Sequence, residues 1–297
     1  MPRIKANGVE LEYVIDGADD ARPLLAIMGL GAQLIRWPQA FVDKLAARGF
    51  RVIRFDNRDI GLSEKIEAAG APDVPAIIAA RQAGQKPPVA YTLDDMAADA
   101  AALLDALEIE KAHIVGASMG GMIAQLVAAD HPHKTLTLTS IYSTTGHPDL
   151  PPATPEAMTR LTLPAPDPAK DMEAYLAHAV VSARTMGSPG YPAPEEKLRA
   201  EALANVNRSF YPVGFARQYA AILASGHRRE RVKKITAPTT VIHGIDDPLV
   251  PVHGGRDTAA NIQGATLIEI PGMGHDFPVE LYDQIIDAIC AVADRAK

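Results

Sequence analysis

A single cysteine among 297 residues, Cys290, excludes an internal disulfide framework and fits a reducing compartment. It falls in Ile285-Ile286-Asp287-Ala288-Ile289-Cys290, an apolar helical pattern, where a thiol serves as a small hydrophobe rather than a reactive group. No stretch approaches the roughly 18 uninterrupted apolar residues that a bilayer span requires, so no membrane partner is expected. The opening segment, Met1-Pro2-Arg3-Ile4-Lys5-Ala6-Asn7-Gly8, lacks the apolar run of a signal peptide, and the expected location is cytoplasmic. Positive charge is also scarce. Lys and Arg number 29 against 36 Asp and Glu, a net charge of -7, which gives no grip on a phosphate backbone and argues against nucleic acid as a partner. The one basic run, residues 227–234, sits just before a predicted strand and is assigned to a solvated boundary. None of the nine histidines stands in a metal-ligand spacing, so neither a metal nor another cofactor is expected.

Apolar material is plentiful: 47% of the residues are hydrophobic and 22% charged, proportions that support a substantial core. The length suits one large domain or a domain carrying an insertion. Short apolar runs alternate with helical stretches, the pattern of βαβ units around a mostly parallel, twisted sheet flanked by helices. Residues 9–15 alternate as an edge strand does, and residues 24–28 and 50–56 read as further strands. Thr92-Leu93-Asp94-Asp95 can cap a helix running to about Leu107, because the threonine hydroxyl satisfies an early backbone N–H and the acids suit the positive end. Residues 113–117 form a short strand that runs into an apolar helix over 119–129, stopped at His131-Pro132. Residues 136–141 return as a strand.

The alternation then breaks. Residues 144–234 are first rich in proline and then helical, for instance over 172–183, with no convincing strand. We read them as a helical cap inserted into an α/β core made of residues 1–143 and 235–297. Residues 239–243 and 265–270 supply the last strands, and 279–293 the closing helix.

Gly116-Ala117-Ser118-Met119-Gly120, followed by Gly121, is a G-x-S-x-G motif between a strand and a helix. In a chain of this composition a chance match is about a one-in-twenty-five event, and the context sharpens it. Flanking glycines let the chain turn tightly without colliding side chains, which exposes the serine hydroxyl at the carboxyl end of the sheet. Backbone N–H groups at the start of the following helix point toward any negative charge that develops there. The competing reading is a serine that simply caps the helix. A serine hydroxyl is a weak nucleophile until a base takes its proton. His275, in Pro271-Gly272-Met273-Gly274-His275-Asp276-Phe277-Pro278 between the last strand and the closing helix, is the best-placed histidine. His243 ends a strand and reads as packed or hydrogen-bonded. An acid must orient the histidine, and His243-Gly244-Ile245-Asp246-Asp247-Pro248-Leu249-Val250-Pro251 offers both Asp246 and Asp247. Ser118, acid and His275 then stand in the chain order that accompanies a nucleophile elbow of this kind.

Over nearly its whole length the sequence resembles the α/β-hydrolase superfamily. In many members the acid stands four residues before the proline of a D-x-x-V-P pattern, which here selects Asp247 ahead of Pro251. The resemblance implies an oxyanion hole built from the backbone N–H groups of Met119 and Leu30. The family usually shows His-Gly-x at the second place, whereas this chain has Met28-Gly29-Leu30-Gly31 and lacks the histidine that orders the loop. Phe55-Asp56-Asn57-Arg58-Asp59-Ile60-Gly61-Leu62-Ser63 resembles the Asp-x-Arg-x-x-Gly-x-Ser segment of esterase and haloperoxidase-like members; Arg58 is expected to brace loops beneath the site. Pro271-Gly272-Met273-Gly274-His275 resembles the aclacinomycin methylesterase group.

The expected chemistry is acyl transfer through Ser118: hydrolysis of a small or medium apolar carboxylic ester, with a methyl ester among the candidates. Met158, Tyr175, Met186, Phe210 and Phe215 of the cap are the candidate pocket residues. The same triad would serve a C–C hydrolase, lactonase, perhydrolase or acyltransferase. A ligand receptor on this fold could retain it with negligible turnover. The expected partner is a small-molecule ester, bound by a monomer or homodimer.

Overall fold

In the computed structural model, which describes residues 2–296, eight strands form one sheet in the order β1-β2-β4-β3-β5-β6-β7-β8. The strands are β1 (Arg3–Ala6), β2 (Val9–Asp16), β3 (Arg22–Ile27), β4 (Phe50–Phe55), β5 (Ala112–Ala117), β6 (Thr135–Ile141), β7 (Thr239–Gly244) and β8 (Thr266–Ile270). β1 and β2 form an antiparallel hairpin, and β2 pairs antiparallel with β4. All remaining neighbours run parallel. The edge reading of residues 9–15 is therefore corrected. β2 is an inner strand, and the edge is β1, whose four residues are too short to register as an alternating pattern.

Helices cover both faces, as parallel strands require because their crossovers must return over the sheet. α1 (Gln39–Ala47), α2 (Val74–Gln82), α3 (Leu93–Ala106) and α4 (Met119–Asp130) precede β6. α3 begins with the Thr92 cap read from the sequence, which forms a full capping box with Asp95. α4 buries ten of its twelve residues, from Met119 through Ala128. Its sequence is accordingly apolar all round, since every face meets protein. Between β6 and β7 the described chain is helical: α5 (Pro155–Thr162), α6 (Met172–Met186), α7 (Glu195–Arg208), α8 (Pro212–Ser225) and the single turn α9 (Arg229–Val232). α10 (His253–Ala260) and α11 (Tyr282–Ala293) complete the molecule.

Two apolar cores lie on either side of the sheet. One joins α3 and α4 to Leu25, Ile27, Ile53 and Ile114. The other joins α1 and α11 to Leu24, Ala26, Val52 and Val115. Adjacent residues of β3 and β5 alternate between the cores, the two-residue period of a strand buried on both faces. Within the basic run, Arg228 is buried and donates to the Thr144 carbonyl rather than facing solvent. Arg231 pairs with Asp94 and Asp130. Cys290 is half-buried. No described helix is long and apolar enough to cross a membrane.

Candidate active site

Three loops at the carboxyl ends of the parallel strands meet at Ser118. The first is the β5–α4 turn. Ser118 adopts φ 57°, ψ -122°, a region that costs a non-glycine residue about 1–3 kcal/mol and persists only where packing over-determines it. Ser118 N–H donates to the Ile141 carbonyl (3.0 Å), and the Ser118 carbonyl accepts from Ser143 Oγ (2.8 Å). The turn is tight enough that a Cβ on Gly116 would lie 2.1 Å from the Gly120 carbonyl oxygen, and one on Gly120 would lie 2.0 Å from that of Ile27. Both glycines of the motif are thus steric necessities.

The second loop follows β8 and carries His275. Its Nε2 lies 2.9 Å from Ser118 Oγ and its Nδ1 2.7 Å from Asp247 Oδ2. A serine hydroxyl donating to Nε2 requires the proton on Nδ1, where a carboxylate accepts it. The third loop, after β7, carries Asp247, buried at 5% exposure. Asp247 Oδ1 accepts the Leu249 and Val250 N–H groups at 2.9 and 2.8 Å. Asp246 is directed elsewhere, its Oδ2 accepting the Gly272 N–H at 2.7 Å. His243 packs behind Asp247 with Nε2 2.7 Å from the Val250 carbonyl. Burial holds its pKa below the usual value, so it stays neutral and donates from Nε2.

Above Ser118 runs the loop after β3, so close that a Cβ on Gly29 would lie 3.0 Å from Ser118 Cβ. Among the described residues, neither the Leu30 nor the Met119 N–H has a protein acceptor. Neither donor is therefore engaged within the described protein. The segment after β4 supports this loop from below. Asp56 Oδ1 accepts the Leu34 N–H (2.7 Å), and Asn57 Nδ2 donates to the Met28 carbonyl (3.0 Å). Arg58 forms a two-point pair with buried Asp99 (2.5 and 2.6 Å), and Asp59 one with Arg217 of α8 (2.6 and 2.8 Å).

The five apolar residues predicted for the pocket separate into groups. Phe215 packs on Gly31, and the Met186 carbonyl accepts the His275 N–H at 2.8 Å, so both reach the Ser118 loops. Tyr175 is buried with Leu176 and Val206 where α6 meets α7, and Phe210 stands edge-on to it at 5.7 Å. Met158 on α5 is 37% exposed and faces the Tyr219 hydroxyl.

Several residues without any local sequence signal adjoin the chain of Ser118, His275 and Asp247. Ser188 accepts from Gly274 N–H (2.8 Å) and donates to Asp276, tying the chain after α6 to the His275 loop. Burial raises the Asp276 carboxyl above the ordinary range, against the pull of the Ser188 hydroxyl. Tyr142, at φ 35°, places its ring 4.7 Å from that of His275. Among the described residues no group of three or more His, Cys, Asp or Glu side chains is gathered as metal ligands would be.

Residues 22–280 match the family described as alpha/beta hydrolase fold. The chain belongs to the α/β-hydrolase family. Among the relatives of this hydrolase is rhodomycin D methylesterase DnrP of Streptomyces peucetius, 30% identical with 98% of each chain covered. Rhodomycin D methylesterase DauP of Streptomyces sp. (strain C5) is 31% identical over 94% of this chain and 93% of its own. A solved meta-cleavage product hydrolase, CumD from Pseudomonas fluorescens IP01, superposes with a TM-score of 0.78 at 20% identity, covering 100% of this chain and 98% of that one. At that identity it attests the fold alone.

Proposed function

We propose that this hydrolase cleaves a carboxylic ester through an acyl-enzyme on Ser118. The observation that carries the reading is the continuous chain from Ser118 Oγ through His275 to Asp247, at 2.9 and 2.7 Å. Substrate carbonyl carbon is attacked by Ser118 Oγ as His275 Nε2 takes the hydroxyl proton. Negative charge gathers on the carbonyl oxygen, and the Leu30 and Met119 N–H groups receive it. Each such donor contributes about 2.7–4 kcal/mol to the transition state when held in place. The imidazolium, stabilised through Nδ1–H by Asp247, returns the proton to the departing alkoxide and an alcohol leaves. Water then loses a proton to His275, attacks the acyl carbon and releases the acid with Ser118 restored.

The substrate class follows from two supports. Near-complete coverage of two relatives named as methylesterases favours a methyl ester. The apolar side chains of the β6–β7 helices, including Phe215 beside Gly31, favour an apolar acyl group. In this reading those helices form the cap over the site.

The test is hydrolysis across a panel of methyl, ethyl and aryl esters of apolar acids, with Ser118→Ala beside the wild type. Turnover of a methyl ester that falls by several orders of magnitude in the variant is the expected outcome. An unaltered rate in Ser118→Ala removes the reading. Saturable binding with negligible turnover by the wild type would favour a receptor.

A further inference from the structure

The loop that carries Leu30 lacks a histidine at its base, since Met28 occupies that place and is itself packed in the apolar core. Its two ends are held from the sheet side by Asn57 and Asp56. Its middle is held from α8. The Gly31 N–H donates to Gln218 Oε1 at 2.9 Å, and Gln218 Nε2 donates to the Arg58 carbonyl at 2.8 Å. Gln218 belongs to α8 and its side chain is fully buried. An N–H on one side and a carbonyl on the other allow only one orientation of the amide, and each end meets its complement. Phe215, on the same face of α8 one turn earlier, lies so close that a Cβ on Gly31 would sit 2.5 Å from its ring. Gly31 has φ +67°, a conformation that disfavours side chains in any case.

The peptide unit held by Gln218 is the one immediately after the peptide bearing the Leu30 N–H. Peptide units are rigid planes, so only φ and ψ of Leu30 separate the held group from the proposed oxyanion donor. We propose that Gln218 is a positioning residue for the oxyanion hole, fixing from α8 the direction in which the Leu30 N–H points. This rests on the acyl-enzyme reading above. It also means that the helices between β6 and β7 take part in forming the reaction centre. A displacement of α8 would carry Gly31 with it and dismantle the hole.

The variant Gln218→Met keeps the shape of the side chain and removes both bonds. A misplacement of this kind lowers kcat on the order of 10- to 100-fold, with KM nearly unchanged. The selective readout is a pair of inhibitors built on the preferred acyl group. A trifluoromethyl ketone is attacked by Ser118 and places an oxyanion in the hole, whereas the matching methyl alkane cannot. The expected result is weaker inhibition by the trifluoromethyl ketone, by the same factor as kcat/KM, with the alkane's affinity retained. Gln218→Asn keeps the amide but is one methylene too short to span both partners; it gives the same selective loss and carries the test if the methionine variant does not fold. Wild-type kcat in these variants, or both inhibitors weakened in parallel, overturns the assignment of Gln218 alone. Failure of the wild type to be inhibited, together with ester hydrolysis by Ser118→Ala, overturns the acyl-enzyme reading and this assignment with it.

Discussion

Asp247 divides its carboxylate between two tasks: Oδ2 meets His275 Nδ1 at 2.7 Å, while Oδ1 accepts the Leu249 and Val250 N–H groups of its own loop. The division makes Asp247→Asn an informative change. The amide oxygen would keep the loop bonds, which turns the NH2 toward His275 Nδ1. Nδ1 must then accept, so the proton moves to Nε2 and the ring can no longer take the Ser118 proton. A kcat loss on the order of 10⁴ with the fold intact is expected, by analogy with the same substitution in another triad. Asp246→Asn can still accept the Gly272 N–H through its amide oxygen, and kcat should stay near wild type. Steady-state kinetics of the two variants, with melting temperatures, decide the matter; the reverse order would move the acid to Asp246.

Ser118 and His275 are legible because each sits in a short pattern whose physics is local, a glycine-flanked turn and a glycine-opened loop before the last helix. The residues alone leave Asp246 and Asp247 both open, and only the resemblance to a D-x-x-V-P pattern singles out Asp247. The strands that carry them are legible because a strand buried on both faces reads as a continuous apolar run. β1 is not legible because four residues at an edge carry too little alternation, so the sequence pattern puts the edge at β2. Gln218, Ser188 and Asp276 escape for a different reason. Gln218 reaches Gly31 across 187 positions, and Ser188 reaches Asp276 across 88. A glutamine on an amphipathic helix and a serine after one look like solvent-facing residues until the fold brings their partners to them. The aromatics of the helices between β6 and β7 read from the sequence only as apolar, which does not separate Phe215 beside Gly31 from Tyr175 in its own small cluster.

Ser188 offers a test of how far the β6–β7 helices support the base. Ser188→Ala removes the hydroxyl donor to the half-buried Asp276 carboxyl and leaves the buried Gly274 N–H without its acceptor. About 1–3 kcal/mol of stability should be lost. Because Gly274 precedes His275, kcat should fall as well, while Ser188→Thr, which keeps the hydroxyl, should restore part of it. Denaturant unfolding and kcat measured on both variants check this; an alanine variant with wild-type kcat would confine Ser188 to packing.

His113 gives stability a dependence on pH that is separate from the reaction centre. It is buried in β5 with Nδ1 2.9 Å from Thr137 Oγ1 and Phe50 edge-on to its ring. Burial pushes its pKa down to about 4 from 6.5. The folded state therefore binds fewer protons than the unfolded chain between those values, and stability rises with pH across that window. The contribution is fully present above the unfolded value and is lost as pH falls toward 4. Urea unfolding at pH 5 and pH 7.5 should show a smaller difference in His113→Asn than in the wild type, and an equal difference would refute the assignment.

The pairing of Arg58 with Asp99 allows its role as a brace to be measured. Both Arg58 and Asp99 are buried, and Asp99 also accepts from Asn7 Nδ2 at 2.8 Å. Burial raises the Asp99 carboxyl, with Arg58 pulling the other way. Arg58→Met leaves that carboxylate buried without its counter-charge, a change that typically costs about 3–5 kcal/mol. The loss should itself depend on pH. Without Arg58 the folded-state pKa of Asp99 moves further above its unfolded value, so the folded variant gains protons as pH falls. The stability deficit relative to wild type should therefore be largest at pH 8 and shrink toward pH 5, as followed by denaturant unfolding. The double variant Arg58→Met, Asp99→Leu, which removes both charges, should recover much of the loss and flatten the pH dependence. Because the Arg58 guanidinium pairs with Asp99 and not with Ser118, His275 or Asp247, KM should be little changed in either variant. A large KM increase in Arg58→Met, with stability intact, would instead mark Arg58 as a substrate contact.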